Sequence, residues 1–256
     1  MSYKIRISAD DAGLHPDIDA GIMACAQAGN LTAISVISSS SHISWSHIRH
    51  IVDLGVGAGI HFTFVDEPWL TTGKIFNRNQ LFFKALTSPT FLIALKKESR
   101  AQVEAMQHAG IPISHADSHQ HVHAFPAIGK VVAAVAEEYG IGYVRCPRVA
   151  TPRLRRKGLQ GLILQQLASS KQQSMSGYPI CGLRHAGGNT LSIIKEELKT
   201  IQQEVEVVLH PGNSTPALQA LYGHWQYNWS GERDRRVHPD CNRALRELGF
   251  ELEKYA

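Results

Sequence analysis

Strand-like runs alternate with helix-like runs along almost the whole chain, and that alternation limits the fold more than any other feature. Tyr3 to Ala9 alternates and is rich in Ile. Asp17 to Ala28 has helical spacing, with Ile18, Ile22 and Cys25 on one stripe, and His15-Pro16-Asp17 marks its start. Ala33 to Ile37 reads as a second strand, Ser44 to Leu54 as a helix and Gly55 to Phe62 as a third strand. A helix over Phe91 to Ala109, a strand over Ser114 to His119 and a helix over Ala127 to Tyr139 follow. Beyond them come a strand over Ile141 to Arg145, a helix over Leu154 to Ser169 and a short strand over Tyr178 to Leu183. A helix over Ser192 to Gln203, a strand over Val205 to Leu209 and a helix over Cys241 to Leu248 complete the pattern. Such alternation predicts an α/β protein, an irregular (β/α) barrel of about seven parallel strands.

The size and composition suit that fold. The chain has 256 residues, 43% hydrophobic and 19% charged, which fits one barrel domain over residues 1–256. No run approaches the roughly 20 apolar residues of a membrane span. The first residues lack the apolar stretch of a signal peptide, so a cytoplasmic location is expected. The net charge is +4, with scattered basic residues. The densest cluster, Arg153 to Lys157, has no interleaved aromatics and reads as a solvated helix start, not a nucleic-acid surface. Cys25, Cys146, Cys181 and Cys241 are far apart in sequence and read as reduced thiols.

In a parallel β/α fold the chemistry sits at the carboxyl ends of the strands. The polar residues here follow that rule: Asp10-Asp11 after the first strand, His61 after the third, Asp117 and His119 after the fourth, Arg145 after the fifth, and His210 after the seventh. The run from His115 to His123 adds a second pattern. His115, Asp117, His119, His121 and His123 share one parity and would share a face for as long as a strand lasts. His119 is the best ligand among them, and Asp117 could orient it. His121 and His123 fall in the loop beyond and could face substrate, cap a turn or meet solvent.

One carboxylate with two imidazoles forms an open site for a divalent cation, which polarises a carbonyl and lowers the pKa of water. Two adjacent carboxylates repel unless a cation neutralises them. One as ligand and one as general base satisfies both demands. His210, before a Pro-Gly turn, is a residue of the right type for a general acid.

Ser8-Ala9-Asp10-Asp11-Ala12-Gly13, Gly59-Ile60-His61-Phe62, His115 to His123 and His210-Pro211-Gly212 stand in the order and spacing of the YdjC-like carbohydrate deacetylases. The chain resembles that family over roughly residues 3 to 250. The resemblance implies an irregular β/α barrel that removes acetyl from an N-acetylated amino sugar, in an oligosaccharide or glycoconjugate. It implies Asp10 as catalytic base, Asp11, His61 and His119 as ligands of Mg2+ or Zn2+, and His210 as the general acid or a residue holding it. It implies that Arg145 steadies the base or the substrate, and that the protein is a homodimer. Ala12 departs from the family, which carries an aromatic there, and a wider pocket beside the base is expected. Trp69 and the phenylalanines between Val65 and Leu95 line a sugar site or pack a lid. Trp225, Tyr227 and Trp229, spaced by two, would share one face and read as a hydrophobic seam or subunit contact, with stacking on a sugar ring as the alternative. A multi-metal phosphoesterase of similar architecture and a non-catalytic sugar-binding protein are the competing readings.

Overall fold

The computed structural model describes residues 2–146, 148, 150, 177–189 and 191–255. The helix expected over Leu154 to Ser169 and the basic cluster Arg153 to Lys157 lie outside the described residues. The strands are β1 (Tyr3–Ala12), β2 (Ala33–Val36), β3 (Gly57–Phe62), β4 (His115–Ser118), β5 (Ile180–Cys181), β6 (Val205–Leu209) and β7 (Phe250–Leu252). They form one sheet in the order β4-β3-β2-β1-β6-β5, with β7 added to the start of β1. Every pairing is parallel.

Residues 143–145 meet one edge of the curled sheet, and Arg148 and Ala150 meet the other. Ala116 N–H donates to the Tyr143 carbonyl, and Arg145 N–H to the Ala116 carbonyl, both at 2.9 Å. Farther along, Ile180 N–H donates to the Arg148 carbonyl and Ala150 N–H to the Ile180 carbonyl. The strand expected over Ile141 to Arg145 is thus reduced to a bridge between Val144 and Ala116. The strand expected over Tyr178 to Leu183 keeps only Ile180–Cys181, because Gly182 turns the backbone left-handed at φ +94°. β7 was not foreseen from the sequence.

Period-two alternation explains both faces of the sheet. Ile5, Ile7, Ala9, Ile34, Val36, Ile60, Val205 and Val207 belong to the buried apolar cluster with the helices. The other parity carries Ser8, Asp10, Ser35, His61, His115, Asp117 and Glu206, all buried. These polar residues are linked by hydrogen bonds inside the curl. Gly59 pairs with His115 across β3 and β4, and a side chain at 59 would meet the His115 ring at 2.3 Å.

The helices are α1 (Pro16–Gln27), α2 (Trp45–Asp53), α3 (Arg78–Thr87), α4 (Pro89–His108), α5 (Pro126–Glu138), α6 (Leu191–Leu198), α7 (Pro216–Tyr222), α8 (Trp229–Arg236) and α9 (Cys241–Glu247). The sequence reading contained no α3, α7 or α8. α3 starts with a reciprocal Asn77–Gln80 capping box. Among the described residues no helix is long and apolar enough to cross a membrane.

α1 touches the loop after β6 through two glycines. A Cβ at Gly21 would lie 2.3 Å from Gly212 Cα and 2.6 Å from its backbone nitrogen. Alanine adds about 1 kcal/mol of helix propensity over glycine, but backbone cannot yield as a flexible side chain does. Gly21→Ala is therefore expected to cost about 1–2 kcal/mol net. A urea titration checks this: the midpoint should fall at unchanged slope.

Candidate metal centre and active-site cavity

Asp10 and Asp11 reach the same site by a device the sequence did not disclose. The expectation was that β1 ends there. It continues instead, through a bulge: Ala9 pairs with Ile34 and Ala12 with Val36, so β1 holds one extra residue. Asp11 takes φ +68° within that bulge. Both side chains then line one cavity. The turn that follows is held from α1, where Asp19 Oδ1 accepts the Gly13 N–H at 2.6 Å.

Asp11, His61 and His119 offer ligand atoms that all lie within 4.8 Å of one another. Asp11 Oδ1 is 3.3 Å from His61 Nε2 and 2.8 Å from His119 Nδ1. All three residues are at most 5% exposed. Asp117 orients His61 and not His119, a correction to the sequence reading. The β3–β4 register sets His61 beside Asp117, and the ring Nδ1 lies 2.6 Å from Asp117 Oδ1. A ligand imidazole with a carboxylate on its far nitrogen is a common second layer of a metal site.

Arg145 is the other centre of the cluster, and it is fully buried. Its Nη1 and Nη2 donate to the two oxygens of Asp10 at 2.8 and 2.9 Å. Nη1 also lies 2.5 Å from Asp117 Oδ2, and Nε donates to Glu206 at 2.8 Å. Burial raises the Asp10 carboxyl, but Arg145 and then His61 outweigh it and hold it below the usual range. Asp11 is likewise pushed up by burial and held well below that range, chiefly by His119. Burial lowers His61, yet Asp117 and Asp10 raise it to about 10. Asp10, Asp11, Asp117 and Glu206 set four acidic side chains around one guanidinium, an excess of acidic groups. That excess and the nitrogen–oxygen donor set both fit a divalent cation. Asp10, His61 and Asp117 form a second group with ligand spacing, but there the Arg145 guanidinium already lies on both carboxylates.

His210 lines the same cavity at 6% exposure. Its N–H donates to Glu232 at 2.6 Å, its ring lies 4.9 Å from Tyr227, and its Nδ1 has no hydrogen-bond partner among the described residues. The cavity measures about 580 Å³. All six candidate residues therefore meet: Asp10, Asp11, His61, His119 and His210 on the cavity wall, and Arg145 directly behind Asp10.

As expected, the shared face lasts only as long as the strand, and His121 and His123 lie in the turn beyond it. β4 ends at Ser118, and Gln120 and His121 turn left-handed at φ 52° and 51°. His115 stacks on Tyr255 at 4.5 Å, and burial lowers its pKa to about 4. His123 meets Ser118 Oγ at 2.5 Å and the Arg145 carbonyl at 3.2 Å. Those two are packing residues, whereas His121 faces the cavity.

Other walls differ in part from expectation. Trp225 and Tyr227 line the cavity, and Trp225 lies 5.3 Å from the His119 ring. Both also pack against the buried apolar cluster. Trp229 is fully buried against Gly212. Between Val65 and Leu95 it is Asp66, Asn77, Arg78 and Asn79 that face the cavity. Trp69 packs instead among Phe64, Phe76 and Phe91. Ala12 is fully buried and does not border the cavity, so its small size does not widen it. Arg78 and Asn77 carry no sequence signal beyond helix capping. Trp225 and Tyr227 carried one in their spacing.

The arrangement defines a parallel β/α barrel with a buried Asp–His–His cluster suited to one divalent cation. The chain belongs to the YdjC-like family, whose model matches residues 4–247. It is 30% identical to a carbohydrate deacetylase of Vibrio campbellii over 99% of this chain and 95% of that protein. It is 24% identical to a chitooligosaccharide deacetylase of Proteus mirabilis over 100% of this chain and 98% of that protein. Against the carbohydrate deacetylases of Brevibacillus brevis and Xenopus laevis, the match spans about half their length, 57% and 51%. The fold is shared with an Enterococcus faecalis protein proposed to cleave cellobiose phosphate, at TM-score 0.76 and 18% identity, over 100% of this chain and 98% of that one. It is shared more loosely with a family 4 carbohydrate esterase of Streptomyces lividans, at TM-score 0.51 and 11% identity, over 100% and 93%.

Two outcomes follow from this geometry. Asp117→Asn removes the charge behind His61 and is expected to weaken divalent-cation binding about 10- to 100-fold, read by competition with a chromogenic chelator. The second concerns Asp19, whose carboxyl burial pushes up to about 6 against the pull of the Gly13 N–H. A raised carboxyl pKa leaves stability intact where both folded and unfolded states are protonated. That stability is lost as pH rises through the folded value. Wild type should lose about 2 kcal/mol relative to Asp19→Asn between about pH 4 and pH 6. Denaturant titrations across that range give the difference, and a gap that stays flat would contradict the assignment.

Proposed function

We propose that this protein is a metal-dependent hydrolase that removes the acetyl group from an N-acetylated amino sugar in an oligosaccharide or glycoconjugate. The observation that carries the reading is the convergence of Asp10, Asp11, His61, His119 and His210 on one cavity. Full-length relatives named carbohydrate deacetylase and chitooligosaccharide deacetylase support it.

The cation would be held by Asp11, His61 and His119, and when bound it would polarise the amide carbonyl and ease ionisation of water. Two imidazoles and one carboxylate favour zinc on softness, with magnesium as the alternative. Asp10 takes the proton of the attacking water. Arg145 keeps that carboxylate ionised at neutral pH and fixes its plane with two parallel hydrogen bonds. His210 gives a proton to the departing nitrogen, so acetate and the free amine leave. Glu232 sets the position of His210 through its backbone N–H.

The phosphoesterase reading requires two or three metals at about 3.5–4 Å spacing. Here the place beside Asp10 and Asp117 is taken by the Arg145 guanidinium, which argues for one cation per chain. The non-catalytic reading finds no support in the site, where every group the hydrolysis needs is present.

Acetate release from N,N′-diacetylchitobiose, with metal counted per chain, tests the proposal. Asp10→Asn should retain its cation and lose about 10²- to 10⁴-fold in turnover, the usual worth of a general base. Full turnover in that variant would exclude Asp10 from the role.

A further inference from the structure

The residues that follow β4 break every regular pattern. Gln120 and His121 both adopt left-handed backbone, a conformation that non-glycine residues avoid unless the surroundings impose it. Its effect is specific. His119, Gln120 and His121, three successive side chains, all line the cavity. Neither a strand nor a helix can present three successive side chains to one face.

Two of the three are engaged by the protein. His119 meets Asp11 at 2.8 Å, and Gln120 donates to Asp66. His121 is different, because its Nδ1 is buried without a hydrogen-bond partner among the described residues. The packing histidines of the same run contrast with it. His115 meets Ser114 and Ser35, and His123 meets Ser118 and the Arg145 carbonyl. Buried polar atoms are rarely left unpaired in folded proteins, and an exception calls for a partner. Strained backbone that delivers an unpaired imidazole to a cavity wall is explained by what enters the cavity.

We propose that His121 is a substrate-binding residue, whose imidazole takes a hydroxyl of the N-acetylated sugar in the cavity it shares with Asp10. The identity of the ligand rests on the deacetylase reading, whereas the site rests on the geometry alone. His121 supplies affinity and orientation and plays no part in holding the cation.

The test uses the metal-loaded full chain with N,N′-diacetylchitobiose as probe. His121→Ala should raise KM about five- to tenfold, the worth of one neutral hydrogen bond, at nearly unchanged kcat. Metal content should stay at the wild-type value. His121→Gly guards against misfolding. It relieves the left-handed strain, so its melting temperature should match or exceed that of wild type while its KM rises in the same way. A structural role predicts the reverse, a lower melting temperature at unchanged KM, and that result overturns the inference. Sugar binding is also read without turnover, by calorimetry on Asp10→Asn and on Asp10→Asn/His121→Ala. Equal affinities in these two overturn the inference and leave the deacetylase reading intact. Binding that depends on His121 in a chain that releases no acetate supports the inference and overturns the deacetylase reading. No binding and no release overturns both.

Discussion

The buried guanidinium of Arg145 is the interaction on which the rest of the site depends. An unpaired charge at that depth would cost several kcal/mol. Arg145 avoids this by engaging every nitrogen: Nε on Glu206, Nη1 on Asp10 and Asp117, and Nη2 on Asp10, Ser8 and Ser35. Those partners come from β1, β2, β4 and β6, so one side chain ties together four strands that are not all neighbours. A lysine could not do this, because its ammonium is a point donor without the planar fork. The same contacts set the electrostatics in sequence. Arg145 keeps Asp10 and Asp117 ionised, Asp117 fixes the His61 ring, and His61 turns its other nitrogen toward Asp11.

The polar interior requires an apolar exterior. The strands give Ile5, Ile7, Ile34, Ile60, Val205 and Val207 to the helices, and Ser8, Asp10, Ser35, His61, Asp117 and Glu206 to the inside of the curl. The lower end is closed by rings. Arg6 lies 4.2 Å from the centroids of both Tyr143 and Tyr255, and His115 stacks on Tyr255. That end is filled, and the cavity lies toward the carboxyl ends of the strands, beside Asp10, Asp11, His61 and His119.

Much of this was legible in the sequence because it follows from period-two alternation and strand ends. The parallel α/β class, most of the strands and the meeting of Asp10, Asp11, His61, His119 and His210 could be read that way. The misses have physical reasons. Parity cannot say where a strand stops: β4 ends at Ser118, one residue before His119, and the split of the remaining histidines between packing and cavity has no local signal. A bulge leaves no mark on composition, so the shared reach of Asp10 and Asp11 looked like a strand end. Arg145 sits on an irregular segment and not on a regular strand, and a lone arginine says nothing in sequence about how many carboxylates will surround it. β7 is three residues long and is defined by its register on Tyr3 to Ile5, a long-range pairing that no local pattern encodes.

The backbone itself marks the site independently of any residue type. Five non-glycine residues among those described have positive φ: Asp11, Asp66, Gln120, His121 and Gln226. The first four line the cavity, and the fifth lies between Trp225 and Tyr227, which also line it. Each such residue costs on the order of 1–3 kcal/mol unless its surroundings impose the conformation. The surroundings are rigid here. Asp19 holds the turn after Asp11. Fully buried Glu98 accepts from the backbone of Leu70 and Thr71, and Gln102 brackets Thr63 from both sides, which anchors the loop that carries Asp66. Folding alone gains nothing from strain of this kind. The strained residues come from separate segments that meet around one cavity, so the core stabilises a cavity geometry which the backbone would not otherwise adopt.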